Sequence, residues 1–165
     1  MKKLTMCAVA VSALFGTQVN AGSLHLTGFI EPVCEITDLA SQALNFGAVT
    51  TSGQSAQDDI TVKCNDSDGA TITLTSVEGG LESDDNEDYA IPYTAVLTPS
   101  VSGLAPITLN APGGPGLNNV SVSESYSGST SLATGVSATL SITTQGSALW
   151  AGGYSDTLTV QITAQ

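Results

Sequence analysis

The chain has 165 residues, a length that suits one domain and leaves little room for a second. Fifteen Asp and Glu against three Lys and Arg give a net charge of −12, a balance that repels phosphate backbones and excludes nucleic acid as a natural partner. Hydrophobic residues at 41% suffice for a packed core, while one His and three Cys leave few ways to build acid–base or metal chemistry, so no enzyme and no cofactor is expected.

Residues 1–21 read as a secretory signal. Lys2 and Lys3 supply the positive start, Met6 to Phe15 the short apolar run, and Val19-Asn20-Ala21 the small residues before a cleavage site. That run is too short to span a bilayer. Removing it leaves Lys63 as the one base against fifteen acids, a net charge of −14. It also leaves two cysteines, Cys34 and Cys64, and an even pair in an exported chain reads as a disulfide. Loop-closure entropy over about 30 residues would stabilise the fold by roughly 3–4 kcal/mol. A metal site needs more ligands than one His and two thiols offer, so none is expected.

The first element of the exported chain is extended. Leu24, Leu26, Gly28 and Ile30 fall on one face of a segment that runs directly into Cys34. It can be the first strand of its own sheet or a free extension that completes another molecule's sheet. Period-two alternation follows in Ile60, Val62 and Cys64, in Ile72 and Leu74, and in Val120 and Val122. It recurs in Val136, Ala138, Leu140 and Ile142, and in Leu158, Val160, Ile162 and Ala164. Each run turns one apolar face inward and a Ser/Thr face to water, as antiparallel strands do. Turn signals separate them at Asp68-Gly69, Gly79-Gly80, residues 112–116, Ser127-Gly128 and Gly152-Gly153. The expected class is all-β, an immunoglobulin-like β-sandwich in one domain.

Three other features have modest readings. Glu78, Glu82, Asp84, Asp85, Glu87 and Asp88 read as a solvated acidic loop rather than a calcium site, and Asn65-Asp66-Ser67-Asp68-Gly69 lacks the downstream Glu of a calcium loop. Trp150 and Tyr154, flanking a Gly-Gly turn, read as core packing rather than a sugar platform. His25 lies in the extension, far from any Ser/Asp partner for a triad.

The series Cys34-Glu35-Ile36, Leu44-Asn45-Phe46-Gly47 and Ile60-Thr61-Val62-Lys63-Cys64 resembles the first half of a pilus subunit of the chaperone–usher pathway. The close, Ala151-Gly152-Gly153-Tyr154-Ser155-Asp156-Thr157-Leu158-Thr159-Val160, is similar to the last strand of the spore coat U domain carried by the archaic, Csu-like branch. The glycine of Leu24 to Cys34 is also similar to the extension of type 1 and P-pilus subunits, although the C-terminus lacks their penultimate aromatic residue. The stretch from 78 to 134 lies outside the resemblance.

The resemblance implies an incomplete sandwich that lacks its last strand and is completed by a donor strand from another subunit. It divides the chain into a signal peptide, 1–21, a donor-strand extension, 22–33, and a pilin domain, 34–165. Leu24, Leu26 and Ile30 would fill pockets of the neighbouring subunit, and Gly28 would sit where the groove is shallow. Tyr154, Leu158, Val160 and Ile162 would form the edge on which a periplasmic chaperone docks before the next subunit replaces it. The implied partners are that chaperone, an outer-membrane usher and other pilus subunits, with a host or surface receptor as a further one. The implied location is a cell-surface fimbrium reached through the periplasm, supporting adhesion or biofilm formation. The alternative is a binding module, a secreted or tip adhesin sandwich that takes sugar or calcium.

Overall fold

In the computed structural model, the described residues are 24–39 and 44–165, without the side chains of 86–88. The expected signal peptide lies outside them. The chain divides into two units at residues 30 and 31. In the first, residues 24–30 carry neither strand nor helix, and Leu24, Leu26, Phe29 and Ile30 are each more than four-fifths exposed.

The second unit is all-β and antiparallel. Its strands are β1 (Cys34–Thr37), β2 (Ser55–Cys64), β3 (Ala70–Ser76), β4 (Leu81–Ser83), β5 (Asn86–Ile91), β6 (Tyr93–Pro99), β7 (Ile107–Ala111) and β8 (Val120–Tyr126). A single helical turn, α1 (Thr130–Thr134), precedes β9 (Val136–Thr144), β10 (Tyr154–Ser155) and β11 (Leu158–Ala164). Ser129 caps that turn by accepting the Leu132 N–H at 3.1 Å, which turns the Leu132 side chain into the core.

One sheet has the order β1-β2-β9-β6-β7, a second β11-β3-β8, and a third, small one β10-β4-β5. The alternation accounts for the packing. Ile60, Val62, Tyr93, Ala95, Leu97, Ile107, Leu109, Val136, Ala138 and Leu140 from the first sheet share one buried cluster with Ala70, Ile72, Leu74 and Tyr126 from the second. A shift of one residue in any strand would send its whole apolar set to the solvent face.

Chain breaks have local causes. Pro92 has no N–H to give a ladder, and there the chain leaves β5 and the small sheet to enter β6 and the large one. Gly79 has φ +70°, and a Cβ on it would collide with the Leu117 carbonyl, so the turn after β3 requires glycine. The acidic stretch expected to be a solvated loop is instead a β4–β5 hairpin with Asp84-Asp85 at its turn. Gly152 and Gly153 let that turn come close, and the Asp84 N–H donates to the Gly153 carbonyl at 3.0 Å. No helix among the described residues is long and apolar enough to cross a membrane.

Candidate functional site

The two predicted cysteines are bonded to each other and face directly across the β1–β2 ladder. Asn65, next in the chain, secures the segment entering β1. Its side chain accepts the Val33 N–H at 2.6 Å and donates to the Glu31 carbonyl at 3.2 Å. The cross-link and this clamp together fix β1 as an edge strand against β2 alone.

A second edge lies beside it. Among the described residues β1 pairs only with β2 and β11 only with β3, yet β1 and β11 run near one another without a shared ladder. The apolar face of β11 shows the effect. Val160 is opposite Leu74 and Ile162 opposite Ile72. Leu74 and Ile72 are buried to 0% and 1% exposure, whereas Val160, Ile162 and Leu158 are only half-buried. Side chains of the same row differ because β3 has a strand on each side and β11 has one on one side only. Ile36 on β1 and Leu44, Phe46 and Val49 after it are half-buried too. An apolar strip and an unpaired backbone edge thus coincide, a combination that water disfavours and a further strand relieves.

At one end the strip opens into a cleft of about 460 Å³, lined by Leu44, Phe46, Tyr93, Ile142, Tyr154 and Leu158 among others. Asp156 stands at its margin and ties the layers together. Its carboxylate accepts from the Ser76 hydroxyl on β3, from the Tyr93 hydroxyl on β6 at 2.7 Å, and from the Glu78 N–H at 2.9 Å. Burial pushes the Tyr93 phenol far above its usual range; the Ser76 hydroxyl opposes this and the Asp156 carboxylate reinforces it, so Tyr93 stays a donor. Asp156 lies between two strands: Tyr154 is on β10 against Ser83, and β11 starts at Leu158. Tyr154 and Leu158, expected along one edge, therefore lie on separate strands of different sheets. Sequence reasoning assigned Asp156 no role, although it is the lone acid in an otherwise uncharged strand run.

The other predicted residues are placed as follows. Leu24, Leu26 and Ile30 are exposed, and a Cβ on Gly28 would meet nothing within 4 Å. Trp150, expected in the core, is 60% exposed beside Leu149 at 73%. Its backbone is the anchored part: the Tyr154 hydroxyl donates to the Trp150 carbonyl at 2.9 Å, and the Tyr154 ring meets Tyr89 edge-on at 6.2 Å. Tyr154 thus takes the packing role and leaves the indole outside. In the segment 65–69, Asp66 accepts the Asp68 N–H at 2.9 Å and closes a turn with its own carboxylate. Among the described residues no three His, Cys, Asp or Glu side chains gather as a metal site. No protein-family model and no curated protein matches the chain.

Proposed function

We propose that this chain is a polymerising subunit of a chaperone–usher pilus, an immunoglobulin-like sandwich one strand short that accepts the leading peptide of the next subunit. One observation carries the reading. The inner face of β11 is half-buried at Leu158, Val160 and Ile162, beside an outer edge that no described strand pairs, and the nearby β1 edge adds the half-buried Ile36. The leading peptide supplies what that strip lacks: Leu24, Leu26 and Ile30 on one face of an extended segment, all solvent-exposed. Burying three such side chains gives roughly 5–9 kcal/mol gross. Backbone pairing along the strand adds about 1 kcal/mol net per hydrogen bond. A joint of that strength is long-lived without a covalent bond.

In this mechanism Leu24, Leu26 and Ile30 enter the neighbour's strip and Gly28 passes its shallow point, while the disulfide and Asn65 hold β1 as one wall and Asp156 sets where β11, the other wall, begins. A periplasmic chaperone covers the strip first, along the Leu158, Val160 and Ile162 edge with Tyr154 at its end, and the outer-membrane usher exchanges it for the next subunit. The product is a surface fimbrium. Deleting residues 22–30 is expected to leave a chaperone-bound subunit that folds and fails to extend a fibre, as read by co-purification and electron microscopy. Normal fibre growth from that truncation contradicts the mechanism.

A further inference from the structure

The outer face of the β11-β3-β8 sheet is a regular array of uncharged polar side chains. The registers align Thr159, Thr75 and Ser121 in one row, Gln161, Thr73 and Ser123 in the next, and Thr163, Thr71 and Ser125 in the third. Rows repeat about every 7 Å along the strands and neighbours sit about 4.8 Å apart across them. The Thr73 and Ser123 hydroxyls are hydrogen-bonded at 2.8 Å, and those of Thr71 and Ser125 at 3.0 Å. All positions on β8 and β11 in this array are exposed.

None of the array is charged, in a chain whose residues 22–165 carry fifteen acids and one base. The large sheet differs. Its outer side carries Glu35 paired to Lys63 at 2.9 Å, and Asp59, which accepts the Thr139 hydroxyl at 2.7 Å.

We propose that this neutral hydroxyl face docks sideways on the same face of a second copy. Two molecules at −14 each repel wherever acidic surfaces meet, and this is a face they can bring together without opposing like charges. A hydroxyl both donates and accepts, so the array is complementary to itself, as a two-fold contact requires. The array has no aromatic ring on which a sugar would stack. One such contact is weak, because hydroxyls give up water to make it. On the fibre reading above, each subunit repeats the contact, and many weak contacts in line bind two fibres into a bundle.

Ser123 and Gln161 flank Thr73, and both are exposed. The test compares wild type with S123E/Q161E and S123K/Q161K, each checked for an unchanged melting temperature, as salt is raised from about 10 to about 150 mM to shorten the screening length. Fibre length and bundle width are read by electron microscopy. Wild-type fibres are expected to bundle with salt, and both variants to form fibres of normal length that stay single. A bundle governed by net charge alone would thicken in the Lys variant, and that result overturns the proposal. Wild-type fibres that never bundle, or a Glu variant that bundles normally, also overturn it while leaving the polymer reading intact. If the chain forms no fibres, the polymer reading fails and sedimentation of the soluble protein decides this one. A salt-promoted dimer whose dissociation constant rises about tenfold in both variants, the change that roughly 1.4 kcal/mol produces, supports it. A monomer at every salt concentration, or a dimer unaffected by either pair, overturns it.

Discussion

A single carboxylate joins distant parts of this chain. Asp156 lies 80 residues from Ser76 and 63 from Tyr93, and it accepts from both. Nothing local in the sequence announces that partnership, because the donors come from two other strands of different sheets. Replacing Asp156 by Ala strands two hydroxyls and an N–H, each costing about 1–3 kcal/mol where buried, and the expected loss is about 2–4 kcal/mol in a denaturant titration. Asp156→Asn keeps one acceptor oxygen and is expected to lose less. A loss below about 0.5 kcal/mol for the Ala variant, the scale of an ordinary surface substitution, would show that the carboxylate ties nothing together. Tyr126 makes a separate point about pH. Burial pushes its phenol up to about 12, with the Glu124 charge adding to the effect, while its hydroxyl donates to the Ala105 carbonyl at 2.7 Å. An unfolded tyrosine titrates near 10, so the folded state holds this proton more tightly. The stability it contributes is whole below about pH 10 and lost as pH rises through about 12. Thermal melts of Tyr126→Phe over that window are expected to fall less steeply than wild type, and parallel curves would contradict the assignment.

At the scale of elements, alternation made β2, β3, β8, β9 and β11 legible, since each turns one apolar face to the core. The Cys34–Cys64 bridge was legible for a different reason, an even cysteine pair in a chain whose start reads as an export signal. The 81–111 region was not. β4 has three residues, too few to show a period, and β5 opens on Asn86-Glu87-Asp88, whose acidity argues for a loop. β6 and β7 do alternate, with Tyr93, Ala95 and Leu97, then Ile107, Leu109 and Ala111, buried. Their signal was eclipsed by the acidic run before them. Trp150 misled because a large aromatic usually packs, and here the Tyr154 hydroxyl holds the backbone of the turn while the ring faces out. For the candidate site, the face of β11 was readable as Leu158, Val160 and Ile162, but its half-burial was not. That depends on β1 and β11 ending as neighbouring edges, a fact of topology rather than of any local pattern.

For the whole molecule, the proposed function requires an acidic chain with an apolar strip to bind partners without collapsing onto itself. Under the proposed function, the strong net charge would keep copies apart in solution and the apolar strip would supply the specific attraction for a strand of the right pattern. The leading peptide has that pattern, and the account stands on its fitting beside β11. Hydrogen exchange on the isolated subunit, with and without a synthetic peptide of residues 22–33, tests this most directly. Alternate amides of β11, those on the side away from β3, are expected to exchange fast alone and to become protected when the peptide is added. Protection already complete in the isolated monomer, or exchange unaltered by saturating peptide, would contradict the account.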